Sequence, residues 1–296
     1  MDQRLYVATD AKGVEHSATG RVAWKLPVDG VGQVTDLGHP LVLREAKALL
    51  EVLDERIYLA ESPKSVEIGP DGTVSVPTAQ LSAPTHWDAE AATRFALDCA
   101  DHLLSEVGDF ALPDGTSLTK VTADARQMLD GAASKSMEHL GQLARLHALR
   151  RLRHERTEIA GASLEQLEED EQKDIDAFDD PAYATAITVT DSVLAAIEAL
   201  RHYVLPEFYG DFQDDRENRE QHAIEDRQTS ISAPTLISTP LGPVALHAPH
   251  LLPYDPAWTS ARESARHARL AIKDRKGADG EASELAWQAT ALTSLL

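Results

Sequence analysis

The stretch THWDAEAATRFALDCADHLLSEV, residues 85–107, marks the point where the chain changes from strand-like to helical sequence. Four apolar residues recur in it at every fourth position: Phe95, Cys99, Leu103 and Val107. This spacing places them on one side of a helix. Thr85 and Asp88 stand before the run as a capping box, which is typical of a helix start. The stretch therefore predicts a helix that runs to about Val107.

Residues 1–82, upstream of this helix, are predicted to form a small α+β region. Three short runs rich in β-branched or aromatic residues predict strands: RLYVA at 4–8, RVAWKL at 21–26 and RIYLA at 56–60. In SVEIGPDGTVSVP, Gly-Pro-Asp-Gly separates two alternating segments, which predicts a β-hairpin around Gly69–Gly72. Apolar residues at helical spacing predict an amphipathic helix over 41–55: Val42, Ala46, Leu49, Leu50 and Leu53.

Residues 83–210 are predicted to form the main body, a bundle of antiparallel helices. Beyond the first helix, the sequence predicts four more: over 118–129 and 136–159, then one that starts at the capping box of Ser163 and Gln166, and one over 183–204. A polar linker or loop follows at 211–230. Residues 231–296 are predicted to form a β-hairpin and two helices, over about 256–275 and 281–295, that pack on the body. The predicted fold class is therefore α+β.

The overall charge limits the classes of partner. The 296 residues carry 49 acidic and 28 basic side chains, a formal net charge of −21. Because duplex binding needs several phosphate contacts from Lys and Arg, direct nucleic-acid binding is disfavoured. Cys99 is the single cysteine, which excludes an intrachain disulfide and a thiolate zinc site. The sequence has no signal peptide and no apolar run of membrane-spanning length, so we expect a cytoplasmic protein without a membrane contact.

Two adjacent segments carry opposite charge. Residues 145–156 have a net charge of +4, and residues 165–180 have a net charge of −8. A turn at 160–163 predicts that the two segments face each other in an antiparallel hairpin, where the charges set the register. The acidic excess would leave a negative face. That face also allows a different function, an acidic inhibitor that imitates nucleic acid.

Two groups of residues are candidates for catalysis or metal binding. Asp98, His102 and Glu106 stand four residues apart, which places them on one stripe of a helix. A carboxylate beside a histidine can make it a general base, and the three together can bind a metal. His247, His250 and Asp255 lie in the proline-rich HAPHLLPYDP and form a second such group. No linear motif for a nucleotide, a phosphate or a metal occurs, so no cofactor is predicted.

Two groups of residues are candidates for binding a partner protein. The first is an aromatic cluster at a helix exit: Tyr203, Phe208, Tyr209 and Phe212. The second lies in the basic segment 256–276, where Trp258 begins a seam of small residues beside a basic stripe: Arg262, Arg266, Arg269 and Lys273. The seam either docks on the protein's own acidic bundle or binds another subunit.

The sequence as a whole favours a non-catalytic acidic interaction protein, a subunit or adaptor of a larger cytoplasmic assembly. Its partner would be another protein bound through charged contacts, and self-association into a homo-oligomer is left open. The main alternative is a metal-dependent or hydrolytic enzyme that uses one of the two histidine and carboxylate groups. The acidic inhibitor is the second alternative.

Overall fold

The computed structural model of the protein describes residues 4–17, 20–63, 67–110, 117–131, 181–204, 235–239, 242–246 and 256–296. Helices and strands both contribute to these residues, so the predicted mixed α+β class is confirmed. The leucine-rich helix predicted at 136–159, the charged hairpin at 145–180 and the linker at 211–230 lie outside the described residues. The domain boundaries remain predictions.

An antiparallel sheet of six strands is the centre of the N-terminal region. The strands before residue 85 are β1 Leu5–Thr9, β2 Val14–Ser17, β3 Gly20–Ala23, β4 Val34–Thr35, β5 Leu41–Arg44, β6 Arg56–Glu61, β7 Thr73–Val76 and β8 Ala79–Pro84. Six of them form the sheet in the order β4-β8-β6-β1-β5-β7, and β2 pairs with β3 in a separate ribbon. Two later strands, β9 Thr235–Thr239 and β10 Gly242–Leu246, pair with each other.

The described residues contain five helices, of which the three longest pack together beside the sheet. The helices are α1 Ala46–Leu49, α2 Ala89–Val107, α3 Leu118–Leu129, α4 Pro181–Val204 and α5 Ala257–Leu295. The three longest are α2, α4 and α5. Helix α5 is interrupted at Gly277, whose φ of 75° lies outside the helical range. Residues 257–276, the first limb, and 278–295, the second limb, fold back on each other, since Gln288 Nε2 donates to the Ala265 carbonyl at 2.9 Å.

The C-terminal ends of α2 and α3 agree with the sequence prediction, whereas the start of α2 differs from it. Asp88 caps α2, because its carboxylate accepts a hydrogen bond from the Ala91 N–H at 2.9 Å. Thr85 contributes differently from the predicted capping box, because its hydroxyl donates to the Ile57 carbonyl on β6. Helix α3 ends before Gly131, whose φ of 82° requires the left-handed conformation that glycine tolerates.

The prediction of a helix over 41–55 is mostly wrong. Residues 41–44 form strand β5 between β1 and β7, and α1 has only four residues. Leu41 and Leu43 are fully buried, whereas Val42 between them is only partly buried. This alternation suits a strand, and burial within the sheet overrides the helical spacing of the later leucines.

The hairpin predicted around Gly69–Gly72 is also different in the structure. The turn itself forms, because the Gly72 N–H donates to the Gly69 carbonyl at 2.9 Å. Strand β7 leaves this turn and pairs with β5 rather than with residues 67–68, which are not in a strand. Turn chemistry thus located the chain reversal, but the pairing partner came from a distant part of the sequence.

The sheet separates two hydrophobic cores. On one face, Tyr6, Ala8 and Ile57 join the large core that the helices fill. On the other face, Leu5 and Val7 join a smaller core that Trp24 closes. All five residues of β1 are buried, so this strand lies at the centre of both layers.

Small residues allow α2, α4 and the first limb of α5 to approach closely. The Ser264 hydroxyl on α5 lies 3.1 Å from the Ala96 carbonyl on α2 and 2.9 Å from the Ser192 carbonyl on α4. Ala261, Ala265 and Ala268 on the same seam are fully buried. The seam predicted from the sequence is therefore covered by the protein's own helices.

Candidate functional site

Four exposed apolar side chains lie on one short segment of the N-terminal region. They form what we call the valine strip: Val28, Val31, Val34 and Leu37, with exposed fractions of 56%, 68%, 52% and 39%. In the described part of the chain, these are the large apolar residues that stand out as exposed. Single exposed apolar residues are ordinary on protein surfaces, whereas a larger exposed apolar patch is typical of a binding surface. Four such residues within ten positions make this segment the candidate site.

A tight turn gives the valine strip its shape. Asp29 and Gly30 both have positive φ, 51° and 77°, which is the signature of a type I′ turn. Val28 and Val31 exchange two backbone hydrogen bonds across it, at 3.0 and 2.9 Å. Asp-Gly between valines is the local sequence signal for such a turn. The turn was not among the features predicted from the sequence, although this local signal was present in it.

The strip includes one edge of the six-stranded sheet. Strand β4 is the outermost strand, and Val34 and Thr35 pair with β8 on its inner side. Thr35 is fully buried, and its hydroxyl accepts a hydrogen bond from the Lys25 N–H at 3.0 Å, while Val34 faces solvent. No strand in the described residues pairs with the outer side of β4.

The charged side chains within the strip are acidic. Asp29 and Asp36 lie within it and are exposed, and residues 26–43 contain no Lys or Arg. An open surface depression, lined by Asp36, His39, Ser75 and Pro77 among others, continues from the end of the strip toward β7. The surface therefore combines apolar side chains with acidic ones.

Replacing Gly32 with alanine should move β4 away from β8. A Cβ atom at this position would lie 2.4 Å from the Leu81 carbonyl oxygen, which belongs to the β8 backbone and cannot easily shift. We expect a loss of about 1–3 kcal/mol in the free energy of unfolding, measured by urea denaturation. Gln33→Ala, at the next exposed position, should change it by no more than about 0.5 kcal/mol. Equal effects of the two changes would contradict the close packing of Gly32.

The structure does not bring the three residues Asp98, His102 and Glu106 to a common site. Each contacts a different partner: Asp98 binds Arg126 of α3 at 2.6 Å, His102 lies 3.1 Å from Glu284 of α5, and Glu106 binds Lys276. The stripe thus joins α2 to its neighbours. Among the described residues, no group of three or more His, Cys, Asp or Glu side chains could hold a metal.

The contact between His102 and Glu284 belongs to a buried polar network. The His102 ring stacks on Trp287 at 3.9 Å between centroids. Gln288 donates to Glu284 at 2.8 Å and accepts from Arg269, also at 2.8 Å. Arg269 in turn contacts Glu51 at 2.5 Å, which links the first limb of α5 to the end of α1. The network therefore fixes both limbs of α5 against α2 and the sheet region.

Burial favours the uncharged forms in this network. It raises the pKa of Glu284 from its ordinary 4.5 to about 7, and the nearby carboxylate of Glu106 adds to this effect. It lowers the pKa of His102. Glu284 Oε2 is buried and makes no hydrogen bond among the described residues. His102 Nε2 lies 3.1 Å from this oxygen. A protonated carboxyl facing a neutral imidazole fits these surroundings.

Cys99, on the buried face of α2, is not accessible for reaction at the protein surface. The residue is fully buried, and burial raises the pKa of its thiol. Because thiolates are the reactive form, we expect this cysteine to be inert.

The basic stripe of α5 is partly used within the protein. Arg269 is 7% exposed and belongs to the buried network, and Lys273 contacts Glu281 of the second limb at 2.9 Å. Arg262 and Arg266 contact Glu263 on the same helix, at 3.8 and 3.2 Å. These contacts leave parts of Arg262, Arg266 and Lys273 exposed, with side-chain fractions of 33%, 56% and 49%. Their role in binding a partner stays a prediction.

Trp258 faces the interior of the protein. It is 5% exposed, and its ring meets that of His202 edge to face at 5.4 Å. Burial lowers the pKa of His202 to about 4, so this histidine is neutral at ordinary pH. A partner could reach Trp258 only after the start of α5 had moved.

The aromatic cluster and the second histidine group fall mainly outside the described residues. Tyr203 is half-buried, and its hydroxyl donates to Glu90 on α2 at 3.1 Å. The other predicted residues of both groups lie outside: Phe208, Tyr209, Phe212, His247, His250 and Asp255. Their predicted roles in partner or metal binding stay predictions.

Comparison of the chain with protein-family models, with curated proteins and with solved structures finds no match in any of the three. Among the described helices, none combines the length and the apolar character needed to span a membrane. The chain is thus placed by its fold class, mixed α+β, and the candidate site is defined by its own residues.

Proposed function

We propose that the protein is a non-catalytic interaction protein, a subunit or adaptor of a larger cytoplasmic assembly. The valine strip carries this proposal, because four apolar side chains are exposed together on one ordered segment at a sheet edge. Burying such a group against a partner removes apolar surface from water, which is the main driving force of protein association.

The charges support a protein rather than a nucleic acid as the direct partner. The chain carries a net charge of −21, and the strip itself contains two exposed aspartates and no Lys or Arg. A basic protein surface would be attracted to it, whereas phosphate would be repelled. The contacts of Asp98, His102 and Glu106 with three separate partners support a structural role for these residues.

A pull-down from native extract at low and high salt, read by mass spectrometry, tests the proposal. The full chain should recover a stoichiometric protein partner, and a variant with Val31→Ser and Val34→Ser should lose it. A variant with Thr290→Ala, an exposed position on the second limb of α5, is the matched control and should retain the partner. No stoichiometric partner at either salt, or equal recovery by the strip variant, would argue against the proposed function.

A further inference from the structure

We propose that β4 binds an extended, basic segment of a partner protein as an added strand of the sheet. This inference rests on the proposed function and states how the partner binds. The segment would alternate apolar and small polar residues and carry Lys or Arg at its ends. Binding of this kind combines main-chain hydrogen bonds with side-chain contacts at every second residue.

The position of β4 in the sheet supplies the main-chain part of the argument. Its inner side pairs with β8, and no strand in the described part of the chain pairs with its outer side. An unpaired edge leaves backbone N–H and C=O groups available to another chain. Every pairing within the sheet is antiparallel, so an added antiparallel strand would continue the existing pattern.

The side chains around β4 fit an extended ligand. Thr35 is buried and fixed by the Lys25 N–H, whereas Val34 and Val31 face outward. The turn at Asp29 and Gly30 orders the segment before binding, so little conformational entropy is lost when a partner adds. The outward valines can then contact alternate side chains of the added strand.

Charge selects a basic partner over a second copy of this chain. Two copies that paired edge to edge would bring together their Asp29 and Asp36 side chains and two chains of net charge −21. Like charges at an interface oppose association. Lys or Arg at the ends of a foreign segment would instead meet these two aspartates.

A synthetic peptide tests this binding mode directly. The probe is Lys-Lys-Val-Thr-Val-Thr-Val-Lys-Lys, with its binding to the full chain followed by calorimetry and by amide NMR shifts. We expect a micromolar dissociation constant, typical of a small interface, and shifts centred on residues 31–37. The same peptide with Glu in place of Lys, or with Pro in place of the central Val, should not bind.

Variants of the full chain separate the contribution of the apolar side chains from that of the aspartates. Val31→Ser with Val34→Ser should weaken peptide binding at least tenfold. Asp29→Asn with Asp36→Asn should weaken it severalfold and reduce its salt dependence. Asparagine tolerates the positive φ of position 29 and can still accept the hydrogen bond from the Gly38 N–H at position 36. Unchanged thermal unfolding midpoints would show that each variant is folded.

Three results would overturn the inference. They are no binding of the basic peptide at millimolar concentration, equal binding to the strip variant, and shifts located away from residues 31–37. A partner recovered from extract that needs the strip, together with a peptide that fails, would leave the proposed function standing and reject strand addition. An empty pull-down would reject the proposed function itself. A dimer that dissociates in the strip variant would replace the foreign segment with a second copy.

Discussion

Replacing Glu15 with alanine is expected to lower the free energy of unfolding by about 3–5 kcal/mol. Glu15 is 3% exposed, and its carboxylate lies 2.6 Å from the Arg44 guanidinium and accepts a hydrogen bond from Trp24 Nε1 at 2.9 Å. The change would leave Arg44, whose side chain is 8% exposed, as a buried charge without this carboxylate. Urea denaturation at neutral pH measures the loss.

Two controls test whether burial causes this effect. Lys120→Ala removes one partner of the exposed contact with Asp124, and it should cost at most about 1 kcal/mol. The double change Glu15→Leu with Arg44→Met removes both buried charges, and it should restore most of the stability lost in the single variant. A loss below about 1 kcal/mol for Glu15→Ala would show that Arg44 finds water or another partner without disturbing the fold.

Ionisation of Glu284 is expected to make the protein less stable as the pH rises. The pKa of this carboxyl is about 7 in the folded state and 4.5 ordinarily, so the folded state holds its proton over a range where the unfolded state has lost it. The stabilising effect is complete below pH 4.5 and is lost as the pH rises through about 7. The size of the shift corresponds to a loss of up to about 3 kcal/mol.

Glu284→Gln isolates this effect, because glutamine has the shape of the protonated acid and cannot ionise. The amide can still accept the hydrogen bond from Gln288 Nε2. We expect the variant and the wild type to have similar stability near pH 5, and the variant to be more stable by about 2–3 kcal/mol near pH 8. Thermal or urea unfolding at several pH values measures the difference. Charges that face Glu284 from both helices, Glu106, Arg269 and Lys276, stay the same in the two proteins.

A constant difference between the two proteins from pH 5 to pH 8 would contradict the raised pKa of Glu284. His102 also titrates here, but burial lowers its pKa, so its contribution is lost as the pH falls below 6.5. The two groups therefore act in opposite directions with pH. Above pH 6.5 the folded protein holds His102 mainly uncharged, so the change in the difference between pH 6.5 and pH 8 reports Glu284.

The sequence could predict those features that depend on neighbouring residues. Apolar spacing and cap residues located α2 and α3, because helices form from contacts a few residues apart. Residues 41–44 were misassigned because their strand partners, β1 and β7, lie some 30 residues away on either side. Sheet order depends on such distant pairings, which a local pattern does not encode.

In the candidate site, too, local features could be predicted from the sequence, whereas features that depend on distant residues could not. The Asp29-Gly30 turn was visible in the sequence as a local signal, but the exposure of Val34 depends on the place of β4 at the sheet edge. The link between Glu284 and His102 joins residues that are 182 positions apart, and no spacing rule connects them. Helical spacing correctly placed Asp98, His102 and Glu106 on one stripe. It could not show that each has its own partner on another helix.

The burial of α2 against α5 determines the order in which the core can be completed during synthesis. About 150 residues separate the end of α2 at Val107 from the start of α5 at Ala257. At about 5–20 residues per second, a ribosome needs roughly 8–30 seconds to synthesise those residues. Throughout this interval the face of α2 around Ala96 lacks the α5 residues that cover it in the finished protein. The nascent chain thus exposes an apolar face of α2 until α5 has been synthesised. A chaperone would protect the chain most during this period.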